Sequence, residues 1–156
     1  GSFHMTLDLE RSAIETYFIA AWNARTPLLM DGDAGDNAVG TCRLTITPGA
    51  RLQGSVGRTL NRIDNVGIVT ISIYTNAALG SVAWRSTAQA AIDTFHGVTI
   101  DQDGAVITAT EDAFVRFSPV SARGSEQQHP YIAGTSKTTP IQTTNIIAPF
   151  VRYTYR

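Results

Sequence analysis

The segment Gly67-Ile-Val-Thr-Ile-Ser-Ile-Tyr74 is followed by Thr75-Asn-Ala-Ala-Leu-Gly80 and then by a helical segment, and this order gives the strongest indication of the fold. The first segment alternates branched apolar residues with small polar ones, which predicts a half-buried β-strand. The second segment breaks that alternation and predicts a turn. A strand, a short turn and a helix therefore follow one another in the middle of the chain.

The helical segment that follows runs from Ser81 to His96. Its apolar residues recur at the spacing of an amphipathic helix: Trp84, Ala88, Ala91, Ile92 and Phe95. Ser81 is the predicted N-cap, and Gly97 is predicted to take the left-handed conformation that ends a helix.

The segments on either side supply further strands and one more helix. Strands are predicted at Leu28–Met30, Thr41–Thr47, Val98–Ile100 with Ala105–Thr110, Ala113–Pro119 and Ile146–Tyr155. Pro48 and Gly49 are expected to stop the second of these strands. The residues from Gly49 to Asn65 have no consistent period and predict a long excursion between strands, of which an extended hairpin is one form.

The N-terminal helix is predicted to start at Thr6 as N-cap, with Asp8 and Glu10 in its first turn. One helical face carries its apolar residues, which are Leu7, Ile14, Tyr17, Phe18 and Ala21. Ile19 and Trp22 fall off that face. Two interpretations stay open for them: they pack under the following loop, or they form an exposed patch for a neighbouring subunit.

The predicted fold class is α+β, with a mixed, mainly antiparallel sheet packed against two helices and with long polar loops. Residues 1–4 are interpreted as a cloning remnant and residues 5–156 as one domain. The segment at about 121–145 is rich in Gly, Ser, Gln and Thr, and it predicts a mobile loop or arm.

Composition excludes several classes of function. The net charge is −1 and only 16% of residues are charged, so no strong field draws the chain to nucleic acid or to a membrane. No apolar run approaches the ~20 residues that span a bilayer. A weakly charged, Thr-rich surface fits a subunit packed against neighbours and fits an ordinary β-rich protein equally well.

The residues with chemical potential form no catalytic pattern. Asp31, Asp33 and Asp36 lack the Gly and Glu positions of a calcium loop, and Cys42 alternates with apolar residues and is expected in the core. His96 and His129 are far apart in the sequence. We therefore predict no enzyme, no metal site and no cofactor.

Three arginines, Arg51, Arg58 and Arg62, lie in the long segment after Gly49. Arginine binds phosphates and partner carboxylates, and exposed arginines are also commonly just solvated. If the protein encircles DNA, these side chains are the first candidates to contact it. No aromatic residues interleave with them, which argues against a single-strand stacking site.

The order of these segments resembles a known family. The N-terminal helix, Thr41-Cys-Arg-Leu-Thr-Ile-Thr-Pro-Gly49, the strand from Gly67 to Tyr74, the Ala-rich helix between Gly80 and Gly97, and the terminal Pro149-Phe-Val-Arg-Tyr-Thr-Tyr-Arg156 are similar to the tail terminator (tail completion) proteins of long-tailed bacteriophages and prophages, of the lambda type. The similarity covers nearly all of residues 6–156 in element order. The polar segment 121–144 is longer than the family pattern.

This resemblance implies a structural virion protein and not an enzyme. The expected partners are other copies of the chain in a hexameric ring, the tail tube protein and a head-completion protein. Such a ring caps the tube, stops its polymerisation and offers the surface for head joining. It implies host cytoplasm during assembly and then the head-proximal end of the virion tail. Ile19, Trp22, Arg51, Arg58 and Arg62 are the candidate interface residues.

Two alternatives stay open at this stage. A neck or head–tail connector subunit has a similar small α+β architecture and also forms rings. A nucleic-acid-binding module that uses the arginine segment belongs to a different class, and its duplex affinity would fall steeply with salt.

Overall fold

The computed structural model describes residues 3–23, 25–30, 38–53, 62–108, 113–119 and 128–155. Helices are α1 (Phe3–Trp22), a 3₁₀ helix (Ala77–Ala83) and α2 (Arg85–Thr94). Strands are β1 (Leu28–Leu29), β2 (Cys42–Gln53), β3 (Arg62–Asn76), β4 (Thr99–Ile100), β5 (Val115–Phe117), β6 (Tyr131–Thr138) and β7 (Ile141–Tyr155). The fold is α+β, as predicted.

One curled sheet holds the seven described strands: six follow the order β1-β2-β3-β7-β5-β4, and β6 lies off this path and pairs with β7. β1 and β2 run parallel, and every other pair is antiparallel. β3 and β7 pair along their whole lengths at the centre. The opposite side of β7 pairs with β6 at residues 141–147 and with β5 at residues 150–152. The sheet is therefore split at this side into two edges.

The hydrophobic core lies between one face of the sheet and the two α-helices. The sheet contributes buried residues that share this face by register, among them Cys42, Leu44, Val69, Ile71, Ile73, Ile146, Ala148 and Phe150. The helices contribute Ala13, Ile14, Tyr17, Phe18, Ala88, Ala91 and Phe95. Phe95 contacts the Phe18 ring at 5.4 Å and the Phe117 ring at 4.7 Å between centroids. The Tyr17 hydroxyl donates to the Thr94 carbonyl, which joins α1 to the end of α2.

Gly67 allows the close approach of β2, β3 and β7. A Cβ atom at Gly67 would lie 2.7 Å from Phe150 Cζ and 2.9 Å from the Thr47 carbonyl oxygen. Because one of these atoms is backbone, the strands themselves would have to separate.

We expect Gly67→Ala to lower the free energy of unfolding by about 1–3 kcal/mol, the usual cost of overpacking. The measurement is urea denaturation. Thr70→Ala, on the same strand but half-buried on the other face of the sheet, is the matched control. Equal stability of the Gly67 variant and the wild type would show that the strands yield without cost.

The N-terminal helix departs from its prediction at both ends. It begins at Phe3, so Thr6 is not its N-cap and Asp8 and Glu10 do not lie in its first turn. Ala21 is exposed and Trp22 is buried, the reverse of the predicted face. The chain leaves the helix at Asn23 (φ 51°) and turns back along Trp22, whose indole Nε1 donates to Thr26 Oγ1 at 3.0 Å.

The central unit begins differently from its prediction. Ser81 does not cap α2; it lies in the 3₁₀ helix, where its Oγ accepts a hydrogen bond from Arg85 Nε at 3.1 Å. Asn76 caps the 3₁₀ helix instead, with its side chain accepting from the Ala78 amide. The predicted stripe is confirmed, since Ala88, Ala91 and Phe95 are buried. Gly97 has φ 64°, as the prediction of a left-handed residue requires.

The strand that starts near residue 41 does not stop at Pro48 and Gly49. β2 continues to Gln53 because a register shift between Pro48 and Arg51 takes up the irregularity. The excursion after Gly49 is thus an extended hairpin in its described part. The hairpin predicted for residues 98–110 is present in its described part. Ile100 bridges Val106, and the amides of Asp101 and Ile107 donate to the carbonyls of Ala105 and Thr99. Residues 109–110 lie outside the described residues.

The prediction of a loop at about 121–145 is wrong where strands are observed. Residues 131–138 form β6, and β7 begins at Ile141. Residues 120–127 lie outside the described residues. Alternating Thr, Ser and Gln residues can pair as strands when a neighbouring strand supplies the hydrogen bonds, and β7 supplies them here. No helix in the described ranges is long and apolar enough to cross a membrane.

Candidate functional site

The two hydrophobic candidates for an interface have different environments. Ile19 is 52% exposed, and Trp22 is only 2% exposed. The Trp22 and Phe18 rings pack with their centroids 5.1 Å apart. The guanidinium of Arg25 lies 5.8 Å from the centroid of the Trp22 ring. Trp22 is therefore a core residue held under the following segment, which confirms the first of its two interpretations, and it is not part of an exposed patch. Ile19 stays a candidate.

The three candidate arginines are placed only in part. Arg51 lies near the end of β2 opposite Asn65, and Arg62 is the first residue of β3. Arg58 lies outside the described residues. The backbone thus brings Arg51 and Arg62 to the same end of the β2–β3 hairpin, and DNA contact through them stays a prediction.

Cys42 is buried, as predicted from its alternation. Burial raises the pKa of its thiol above the usual value, and a hydrogen bond with Thr26 only partly offsets this. A thiol is nucleophilic as its thiolate, which burial disfavours, so this residue has the properties of a structural cysteine.

The two histidines that are distant in sequence are neighbours in the fold. The rings of His96 and His129 stack with centroids 4.4 Å apart and planes inclined by 12°. His96 follows α2, and His129 precedes β6, so the contact joins these two elements at the surface. The described residues contain no group of three His, Cys, Asp or Glu side chains that could hold a metal ion. Asp31, Asp33 and Asp36 lie outside the described residues.

A buried ion pair joins the first helix to the last strand, and sequence patterns did not indicate it. Arg152 Nε lies 3.0 Å from Glu10 Oε1, and their side chains are 2% and 4% exposed. Burial raises the pKa of Glu10, while the hydrogen bond and charge of Arg152 oppose that shift. Arg152 Nη1 is buried and has no hydrogen-bond partner within the described part of the chain. The pair is a connection within the core.

The face of the sheet turned away from α1 and α2 is only partly covered in the described fold. We call it the open face, and its centre carries half-buried or exposed uncharged residues from four strands: Thr45 and Thr47 of β2, Val66, Ile68, Thr70 and Ser72 of β3, Thr143, Asn145, Ile147 and Pro149 of β7, and Tyr131 of β6. By register, the charged residues Arg43, Asp64 and Arg116 lie on the same face. Ser72 donates to Asn145 Oδ1 at 2.8 Å across the two central strands.

A shallow cleft of about 410 Å³ opens beside the apolar centre of the open face. Its described lining is Thr47, Pro48, Gly49, Val66, Gly67, Ile68, Gln128, Pro149 and Phe150. None of these side chains is ionisable, so the lining offers no general acid, general base or nucleophile. Such a surface can bind an apolar or uncharged polar partner.

Comparison with known proteins supports the fold. No protein-family model matches the chain, and no curated protein matches it. A solved structure known by a serial designation is similar with a TM-score of 0.63 and 15% sequence identity, over 96% of this chain and 97% of that one. At this identity the similarity establishes a shared architecture over nearly the full length of both chains.

Proposed function

We propose that this chain is a tail terminator-like subunit that assembles into a ring, caps a phage tail tube and provides the surface for head joining. The observation that carries the proposal is the open face, a sheet surface whose centre is uncharged and includes the apolar residues Val66, Ile68, Ile147 and Pro149. Surfaces of this kind on a structured domain are typical of protein interfaces. The family resemblance of the sequence supplies the kind of partner.

The role requires no reaction. Termination of tube polymerisation needs one surface that binds the end of the tube and a second surface to which further tube subunits cannot bind. A closed ring also needs two different faces on each subunit, because its contacts are head-to-tail. The open face and the exposed side of α1 around Ile19 are two such surfaces, since α1 packs on the opposite face of the sheet.

The contribution of α1 is tested by Ile19→Asp. Because Ile19 is 52% exposed, we expect stability to change by no more than about 0.5 kcal/mol. A charge at the centre of a subunit contact is expected to abolish ring formation, measured by sedimentation in the presence of tail tubes. Arg11→Asp, at an exposed position of the same helix, serves as the control. Rings of normal yield from Ile19→Asp would remove α1 from the interface.

The function itself is tested by deleting the reading frame in its parent phage or prophage and imaging the lysate by electron microscopy. Over-long or ragged tubes without heads are the expected result. Tubes of normal length that fail to join heads would indicate a connector subunit instead. Intact infectious particles would contradict both assignments.

A further inference from the structure

Three polar side chains are buried next to one another on the core face of the two central strands. Thr75 of β3 stands opposite Gln142 of β7, and Thr144 follows on β7 two residues later, on the same face. Thr75 and Gln142 are each 7% exposed, and Thr144 is fully buried. The neighbouring positions of this face hold the apolar core residues Ile73 and Ile146. The three side chains therefore form a polar cluster at one end of the core.

Each member of this cluster has a buried oxygen atom that forms no hydrogen bond within the described part of the chain. The atoms are Thr75 Oγ1, Gln142 Oε1 and Thr144 Oγ1. An unpaired polar atom in the core costs folding free energy, and native proteins rarely leave one in place. Three of them at adjacent positions of one sheet face point to a partner that they share.

The start of α2 lies at the same end of the sheet as the polar cluster. The 3₁₀ helix follows Asn76 directly and leads into α2, whereas the end of α2 lies further along β7, since Phe95 contacts Phe117 and Phe117 pairs with Phe150. Trp84, directly before α2, packs against the core, and its indole Nε1 is a buried donor with no partner among the described residues. An unpaired donor and three unpaired oxygens thus lie at one end of the core.

The chemistry of the three oxygens limits what can bind between them. The amide oxygen of Gln142 only accepts hydrogen bonds, whereas each threonine hydroxyl both donates and accepts. An ion would be buried among uncharged side chains, at a cost far above that of an unpaired polar group. An apolar ligand would leave all three oxygens unpaired. A water molecule donates and accepts, and a buried water typically forms about three hydrogen bonds to groups of this kind.

We propose that Thr75, Gln142 and Thr144 form an internal binding site for one water molecule, which joins β3 to β7. The water donates to Gln142 Oε1 and to one threonine hydroxyl, and it accepts from the other hydroxyl, so each of the three oxygens forms a hydrogen bond. The water stabilises the pairing of the two central strands close to the point where the chain leaves β3 for the 3₁₀ helix.

The water site lies inside the subunit. It therefore goes beyond the proposed tail function, and it holds whether or not the chain caps a tube. Its tests use the isolated full chain and require neither a ring nor a phage.

The first test replaces each hydroxyl by a methyl group, in Thr75→Val, Thr144→Val and the double variant. Valine has nearly the shape of threonine and also favours strands, so removal of an unpaired hydroxyl would raise the urea midpoint of unfolding. Removal of a hydroxyl that binds the water instead lowers the midpoint. Thr143→Val, at a half-buried position of β7 on the other face of the sheet, is the matched control.

We expect both single variants to unfold at a lower urea concentration than the wild type, with an unchanged slope of the transition. Because the two hydroxyls share one water, we expect the shift of the double variant to be smaller than the sum of the single shifts. A midpoint at or above the wild-type value in either single variant, or an equal fall in Thr143→Val, would overturn the proposal. Additive shifts would also contradict it, since each hydroxyl would then have a partner of its own.

A crystal structure of the full chain gives the direct observation. We expect one ordered water within hydrogen-bond distance of Gln142 Oε1 and of both threonine hydroxyls. Direct hydrogen bonds among the three side chains, with no water between them, would contradict the proposal.

Discussion

Trp22→Ala is expected to lower the free energy of unfolding by about 3–5 kcal/mol, the usual cost of truncating a buried aromatic residue. The substitution leaves a cavity beside Phe18, and it removes the indole hydrogen bond to Thr26 that holds the segment after α1. Guanidinium denaturation followed by circular dichroism measures the change.

Ile19→Ala is the matched control for this experiment. It lies on the same helix and is 52% exposed, so we expect a change within about 0.5 kcal/mol. If Trp22→Ala were as mild as Ile19→Ala, Trp22 would not be part of the core. The expected loss also means that failure of a Trp22→Ala chain to assemble would report unfolding and not a lost contact.

Removing the carboxylate of the Glu10–Arg152 pair is expected to cause the second large loss of stability. Glu10→Leu leaves the Arg152 guanidinium buried and unpaired, and arginine does not give up its proton in a protein. We expect a loss of about 3–5 kcal/mol at pH 7. Because the pKa of Glu10 is raised in the folded wild type, its carboxyl also adds stability below the unfolded pKa, so the loss is expected to be larger at pH 4 than at pH 7. Urea denaturation at the two pH values measures it.

Removing the guanidinium of the pair is expected to change the stability with a different pH dependence. In Arg152→Met the groups that lower the pKa of Glu10 are gone, and burial raises that pKa further above the ordinary 4.5. The folded state then binds the proton more tightly than the unfolded state, so stability is retained below the unfolded pKa and lost as pH rises through the folded pKa. We expect this variant to be more stable at pH 4 than at pH 7, relative to the wild type.

The double variant Glu10→Leu with Arg152→Met completes the cycle. Replacing both charges by apolar side chains of similar size removes the desolvation cost of the pair, so we expect most of the single-variant losses to be recovered. If the loss in free energy of unfolding for the double variant equalled the sum of the two single-variant losses, the two groups would not interact in the folded protein.

Local patterns predicted the regular elements where period and burial agree. The strand from Gly67 to Tyr74 and the stripe through Ala88, Ala91 and Phe95 are confirmed because a sheet or helix buries one face, and the matching side-chain period appears in the sequence. Cys42 is buried for the same reason. The α+β class follows from these elements and their order.

Element ends and polar strands were predicted less well. Asn76 and not Ser81 caps the structure after β3, because the chain first makes a 3₁₀ turn that periodicity does not signal. β6 has almost no apolar alternation, since both of its faces are exposed, and only its pairing with β7 makes it a strand. Hydrogen bonds between strands leave no mark in a pattern of side-chain polarity.

By itself, then, the sequence determined the fold class, the central strand–helix unit and the burial of its apolar stripe, because these depend on neighbours within a few residues along the chain. The burial of Trp22, the pairing of Glu10 with Arg152, the stacking of His96 on His129 and the pairing of β6 with β7 were apparent only in the three-dimensional structure. The Glu10–Arg152 pair joins residues 142 positions apart. Contacts at such separations depend on how the sheet curls around its helices, and no local period records that geometry.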